Sequence, residues 1–327
     1  MRVPVARPQT DVRSSIRLAA IRAEFAAFLQ RTRQDAVRGA NLPRAQGRLI
    51  LMPDSISANF TLAVIKIGGS ILKNARAYRR AARYVRNRYV ASPDERFVVV
   101  VSAQEGVTDW LAATACQVIS QPNPAALDLL WSTGELRSVA LLALHLQALG
   151  VSAAALNIHE AGLALSDTTR ASGTVLEDVR FNSRRLRSVL VQHSVAVVPG
   201  FFPTDTTGAV HSLGRGGSDL TAVLLAKGLS ASRCELLKDV PGYFTSDPHG
   251  NPSARHLPRL TFQEALALAN EGCDLVQRRA IEVAEQCNLP LVVRCLDESA
   301  PLSLVTAQQE ITSPNAGVFS SEAVAAT

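Results

Sequence analysis

The run Leu62-Ala63-Val64-Ile65-Lys66-Ile67-Gly68-Gly69-Ser70 is a short apolar, partly β-branched stretch that stops abruptly at two glycines. Such a run predicts a buried strand, and the glycines predict a tight exit from it. Residues 75–89 follow with the spacing of an amphipathic helix. Strand, glycine turn and helix make the first half of a parallel crossover. The alternation then repeats. Further strands are predicted at 97–102, 151–156, 195–199, 234–237 and 290–295, and helices at 128–149, 219–228, 261–271 and 278–286. Residues 166–180 are polar and read as a hairpin or a loop. The fold class is therefore α/β with a mainly parallel sheet.

Hydrophobic residues make up 47% of the 327 and charged residues 19%, ample for a packed core and far from a disordered composition. No run of about eighteen uncharged apolar residues exists, so no spanning helix is expected. The N-terminus lacks the apolar core of a secretory signal. Cys116, Cys234, Cys273, Cys287 and Cys295 show no CxxC spacing and read as reduced thiols of a cytoplasmic protein, used as small apolar fillers. The six histidines form no HExxH or related pattern, so no dedicated transition-metal site is expected.

The net charge of +6 is unevenly placed. Residues 1–50 hold ten arginines against Asp11, Glu24 and Asp35, a balance of +7, which leaves the remainder at −1. The basicity belongs to the leader, and neither nucleic acid nor membrane is expected as a partner of the main domain. Within the leader, Ile16, Ile21, Phe25, Phe28 and Leu29 recur at roughly helical spacing. Three readings of residues 1–60 stay open: an organelle-targeting peptide, a docking arm for a partner or an anionic surface, or an extension of little consequence, partly helical or disordered. Met52 offers an alternative start.

Three segments could carry chemistry. In the first, Gly68 and Gly69 let the backbone approach an anion, and Lys66 adds a full charge against a moving phosphoryl group. Alone this is a weak signal, because strand–glycine–helix turns are common, and the chain contains no GxxxxGK[ST] P-loop. The second, Ser212-Leu213-Gly214-Arg215-Gly216-Gly217-Ser218-Asp219, is far more specific. Arg215 can grip a carboxylate bidentately, Ser218 can donate a hydrogen bond, and Asp219 can accept from an ammonium. Those are the handles an α-amino acid needs; the plainer reading makes Asp219 a helix N-terminal residue. The third, Lys238-Asp239-Val240-Pro241-Gly242-Tyr243-Phe244-Thr245-Ser246-Asp247-Pro248, leaves a strand as a turn-rich loop. Ligands of parallel sheets gather at such strand ends.

Taken in this order, the segments resemble the aspartate kinase branch of the amino acid kinase family. The resemblance covers residues 63–304. It includes Ser102-Ala103-Gln104-Glu105-Gly106-Val107-Thr108, similar to the family's SAxxGxT loop, Ser132-Thr133-Gly134-Glu135, similar to its SxGE segment, and Gly200-Phe201. It implies the amino acid kinase (carbamate kinase-like) fold, a three-layer αβα sandwich, with a catalytic domain over 61–307 and a flexible tail over 308–327. It also implies transfer of the ATP γ-phosphate, with Mg²⁺, to the side-chain carboxylate of L-aspartate or a close analogue, in amino-acid biosynthesis. A homodimer is implied by the resemblance alone. Position by position, Lys66 and Asp219 fall on catalytic positions. Ser102, Thr108, Glu135, Phe201, Arg215 and Ser218 fall on substrate contacts, and Gly68, Gly69, Lys238, Asp239, Phe244 and His249 on the nucleotide side. Glu135 and Asp219 would hold the ammonium, and Arg215 a carboxylate. A carboxylate acceptor with a pKa of about 4 is ionised at neutral pH, so no general base is required.

The nucleotide side departs from the family's pattern. Lys238 stands where threonine is common, Phe244 where tyrosine is, and His249 where an arginine follows Asp-Pro. Asp274, in Gly272-Cys273-Asp274-Leu275-Val276-Gln277-Arg278, replaces a phosphate-facing lysine. An anion beside a triphosphate opposes binding. Either Lys238, Arg278 or Arg279 supplies the missing charge, or the ATP site has decayed and the chain binds an acidic amino acid as a regulatory protein. Intact Lys66, Gly68 and Gly69 favour the first. Gln104-Glu105 adds bulk and charge near the acceptor, which leaves glutamate or another small carboxylate as a third reading. About twenty residues follow Leu304, too few for an ACT-type regulatory module, so feedback by lysine or threonine within this chain is not expected.

Overall fold

The computed structural model describes residues 60–165, 179–214, 216–248 and 250–307; the leader, the tail, most of 166–180, Arg215 and His249 lie outside the described residues. In chain order the first elements are β1 (Thr61–Ile67), α1 (Ala75–Ala91), β2 (Glu95–Val101), α2 (Val107–Val118), α3 (Pro124–Ala148) and β3 (Ala153–Ala155). Next come α4 (Ile158–Ala161), β4 (Leu163–Leu165), β5 (Val179–Phe181), α5 (Arg184–Gln192), β6 (Val195–Pro199), α6 (Gly217–Leu229) and β7 (Arg233–Leu237). The last are β8 (Tyr243–Phe244), β9 (His256–Leu257), β10 (Arg259–Thr261), α7 (Phe262–Asn270), α8 (Arg278–Gln286), β11 (Leu291–Arg294) and β12 (Ser303–Thr306).

Eight strands form one sheet in the order β10-β12-β11-β7-β1-β2-β6-β3, parallel at every pairing except β11 with β12. The six expected strands are all present, each within two residues of its predicted ends. Alternation along the buried strands sorts two cores. Leu62 and Val64 point with Val98, Val100, Cys234 and Leu236 to a face covered by α5, α6, α7 and α8. Ala63, Ile65 and Ile67 point to the opposite face, covered by α1 and α3. The result is the expected three-layer αβα sandwich. Asn74 caps α1, and Asn123 caps α3 with Pro124 at its first position, so each helix starts at a set residue after its loop.

On the α1 face, Glu235 of β7 is fully buried yet satisfied: it accepts from Tyr84 Oη at 2.6 Å, Arg88 at 2.9 Å and Arg233 at 2.8 Å. Arg233 also forks onto both oxygens of Glu95, at 2.6 and 3.0 Å, tying β7 to β2. β4 and β5 pair antiparallel; residues 166–178 between them, expected as a hairpin or a loop, lie outside the described residues. β8 and β9 form a small hairpin beyond the end of β7, fixed to β12 where the N–H of Tyr243 donates to Ser303 Oγ at 2.8 Å. Two helices of two turns or more are additions to the sequence reading. α5 is nine residues long, too short for its period to stand out, and α2 buries Leu111 alone. None of the described helices is long and apolar enough to cross a membrane.

Candidate functional site

Strand parity places two lysines together. Leu62, Val64 and Lys66 share one face of β1; Cys234, Leu236 and, just beyond the strand, Lys238 share the same face of β7, with Lys66 paired to Leu236. α6 begins on that face with Gly217-Ser218-Asp219. Both ammonium groups converge on one carboxylate: Lys66 Nζ lies 2.7 Å from Asp219 Oδ1, and Lys238 Nζ lies 2.7 Å from Oδ2. The N–H of Gln277 donates to the same Oδ2 at 3.3 Å. Asp219 is only 3% exposed. Burial alone would raise its pKa, but Lys238 and Lys66 outweigh burial and hold the carboxyl well below the usual range. Burial pulls Lys238 down to about 8, against the attraction of Asp219 and helped by repulsion from Lys66. Two cations on one anion, at a helix N-terminus, leave an excess of positive potential where an anion could be received.

Close backbone approach shapes the rest. A Cβ on Gly69 would lie 2.6 Å from the carbonyl oxygen of Ala103, and one on Gly200 2.6 Å from Ser218 Oγ, so both positions demand glycine for want of room. Ser102 Oγ donates to Ser218 Oγ at 3.0 Å, joining the end of β2 to the start of α6. Phe201 holds a φ of 76°, and its N–H donates to Thr221 Oγ1 of α6 at 3.0 Å. A bulky residue held in that region marks a position fixed by its surroundings.

On the opposing wall α3 carries Glu135, 5% exposed, whose Oε2 has no hydrogen-bond partner among the described residues. Burial dominates and raises its pKa to about 8, although the backbone of Ala103 and the charge of Lys66 pull the other way. The folded protein therefore keeps a proton that the unfolded chain, with an ordinary value of 4.5, has lost. Stability stored in that proton is present below the unfolded value and lost as pH rises through about 8. Glu135→Gln is accordingly expected to be near neutral at about pH 5 and to stabilise by about 4 kcal/mol at about pH 8, read by urea unfolding. An equal effect at both pH values would show that Glu135 is not held protonated.

The remaining candidates divide. Thr108 is half-buried in the first turn of α2, and Phe244 stands edge-on to His256, their ring centres 5.3 Å apart. Asp239 is exposed, and Arg215 and His249 lie outside the described residues. Gln104 faces the rim, where it accepts from Arg137 at 3.1 Å and donates to the Lys73 carbonyl at 3.1 Å; Glu105 lies 3.9 Å from Lys73. Of the three cations considered for the nucleotide side, Lys238 is the one brought to Asp219. Arg278 pairs with Glu282 at 2.9 Å, and Arg279 is exposed. Asp274 is exposed, and its segment reaches the cluster through the Gln277 N–H. Asp219 meets a lysine ammonium group at each of its two oxygens. The sequence reading missed the Gln277 N–H and Thr221 altogether. Backbone donors leave no residue-type signal, and Thr221 looks like any buried helix residue.

No group of three metal-ligating side chains occurs among the described residues. The cluster nevertheless suits a nucleotide polyphosphate: close glycine backbone, two cations and a helix N-terminus. With Lys66 and Lys238 each 2.7 Å from Asp219, a Mg²⁺ ion would be carried mainly by the phosphates and water.

Comparison with known proteins points to one family. A match to the amino acid kinase family spans residues 61–295. The aspartate kinase of Pseudomonas putida is 36% identical over 249 residues, 76% of this chain and 59% of that protein. An aspartokinase of Thermus thermophilus is 37% identical over 244 residues, 75% of this chain and 59% of its own. The chain thus spans about 59% of the length of these curated relatives. Among solved structures, aspartate kinase from Synechocystis superposes with a TM-score of 0.66 at 33% identity, covering 77% of this chain and 41% of that one. Carbamate kinase from Giardia lamblia shares the fold at a TM-score of 0.55 and 14% identity, covering 77% of this chain and 100% of its own.

Proposed function

The chain belongs to the amino acid kinase family, and from that premise we propose that it transfers the γ-phosphate of ATP to the side-chain carboxylate of L-aspartate. The observation that carries the reading is the pair of lysines, Lys66 and Lys238, each 2.7 Å from the one buried carboxylate of Asp219. Phosphoryl transfer asks little covalent chemistry of a protein and much positioning of charge. Asp219 serves as the tether: it holds two ammonium groups at fixed separation and leaves the cluster a net cation. Gly68 and Gly69 admit the phosphates to backbone distance. Bound Mg²⁺ would neutralise phosphate charge and hold the chain of phosphates in one conformation.

The amino-acid side follows from what remains free. With two lysines already at Asp219, the substrate ammonium falls to Glu135, whose Oε2 has no hydrogen-bond partner among the described residues. An arriving ammonium would draw Glu135 back to its ionised form and release its proton. Ser102 and Ser218 offer hydroxyls between the two ligands, and Arg215 the cation for the α-carboxylate. The acceptor carboxylate attacks as the anion it already is, so a catalytic histidine is not needed. Lys238 answers the loss of a lysine at Asp274, which supports a working nucleotide side over a decayed one.

Hydroxylamine trapping with Mg-ATP tests the reading. L-Aspartate is expected to yield hydroxamate and L-glutamate far less. ATP binding with no hydroxamate from L-aspartate would move the assignment to another acceptor. Aspartate binding without ATP binding would make the chain a regulatory protein instead.

A further inference from the structure

We propose that the indole N–H of Trp131, on the inner face of α3, is a substrate contact that donates to the α-carboxylate of the amino acid whose ammonium group Glu135 holds. This role rests on the function proposed above, from which it takes its ligand. Trp131 is partly buried, and its Nε1 has neither solvent access nor a hydrogen-bond partner among the described residues. A buried indole N–H normally finds an acceptor, because leaving it unpaired forfeits its hydration. Glu135 Oε2 is the other side-chain atom of α3, among those described, left in that condition.

Helix geometry puts the two orphans on one face. Asp128, Trp131 and Glu135 are spaced three and four residues apart, so they form a single row along α3. Both ends of the row are tied to the site. Asp128 Oδ2 accepts from the N–H of Ser212 at 3.2 Å, which docks the segment running into Ser218 and Asp219 of α6. Glu135 feels the charge of Lys66. Trp131 stands between them in the row. The neighbouring hydroxyls are spent on the helix itself: Ser132 Oγ donates to the Leu129 carbonyl and Thr133 Oγ1 to the Leu130 carbonyl, each at 2.7 Å. The indole N–H is what this stretch of α3 has left to give a ligand.

The two orphans match an α-amino acid in kind and in scale. An indole N–H donates and never accepts, so it serves a carboxylate oxygen and not an ammonium. Glu135 serves the ammonium. Those two groups share one carbon of the ligand, and side chains four apart on a helix have Cβ atoms about 5–6 Å apart, near enough to grip both. Selectivity comes from the cost of an unmet donor. A ligand lacking the α-carboxylate leaves the buried N–H unpaired, whereas L-aspartate supplies a charged acceptor in addition to meeting the cation proposed for it.

Trp131 and Trp110 are the two tryptophans of the chain, and Trp110 is 64% exposed on α2. In Trp110→Phe, emission therefore reports Trp131 alone. Titration of that variant with L-aspartate, without ATP, is expected to change the emission saturably. Trp131→Phe keeps an aromatic ring and removes the N–H. It is expected to weaken L-aspartate binding about tenfold by calorimetry, and to raise KM for L-aspartate to match, as loss of one hydrogen bond to a charged group implies. KM for ATP and the melting temperature are expected to stay unchanged, since the N–H has no partner to lose in the free protein. A merely structural tryptophan would show the reverse, a lower melting temperature with unaltered affinity. Equal affinity of wild-type and Trp131→Phe proteins overturns the assignment, and so does Trp131 emission indifferent to L-aspartate that calorimetry shows to be bound. That emission decides alone should Trp131→Phe fail to fold. Wild-type protein that binds no L-aspartate by calorimetry overturns the function proposed above, and this contact with it.

Discussion

Lys66→Ala is expected to lower kcat for hydroxamate formation about 10³-fold, with the KM for aspartate little changed. Lys66 Nζ is anchored 2.7 Å from Asp219, at the end of the central strand, where its charge would meet the transferring phosphoryl group. Its removal leaves Asp219 with Lys238 alone, a neutral pair, so the site loses its excess cation at the moment charge develops. Lys66→Arg is expected to restore little of the rate. A guanidinium fork does not reproduce the single-point contact that the ammonium makes with Asp219 Oδ1 at 2.7 Å. Retention of more than a tenth of the wild-type kcat by the alanine variant would remove Lys66 from the proposed mechanism.

Asp219→Asn is expected to cost about 3–5 kcal/mol of stability and nearly all activity, because one buried and one partly buried cation lose their shared counter-ion. The deficit should depend on pH in a particular sense. Lys238 has a folded value of about 8 against an ordinary 10.5, so folding releases part of its proton. Asp219 is what keeps that value from falling further. Without it, Lys238 titrates lower still and is neutral in the folded protein at moderately alkaline pH. The destabilisation measured by urea unfolding should therefore be largest near about pH 6 and shrink toward about pH 9. Equal deficits at the two values would mean that Asp219 contributes through packing rather than charge.

Much of the sheet was legible from sequence because its central strands are buried on both faces and read as uninterrupted apolar runs. Val195–Pro199 and Arg278–Gln286 fall where they were expected. α2 was not legible, because exposed Trp110 and Val118 stand on its outward side with Asp109 and Gln117 and blur the period. In the site, the glycine-rich segment led directly to Asp219 but not to its partners. Lys238 could have been singled out by parity, since it lies two residues beyond inward-facing Leu236. Arg278 and Arg279 were equal candidates until the rotation of α8 was known, and that rotation depends on packing rather than on local sequence. The same limit applies to Asp219: an acidic residue opening a helix suits an ammonium or a lysine equally well, and only the register of β1 against β7 decides.

That register has a consequence during synthesis. β1 finds β2 nearby in the chain, but its other neighbour, β7, pairs Arg233 with Ala63, 170 residues later. At roughly 5–20 residues per second, about 9–34 s separate emergence of the two strands from the ribosome. Through that interval one edge of a largely apolar strand of the nascent chain offers unpaired N–H and C=O groups to any neighbour on the same polysome. Recovery of native protein from an expression host should thus follow translation rate and chaperone supply more closely than the stability of the finished fold.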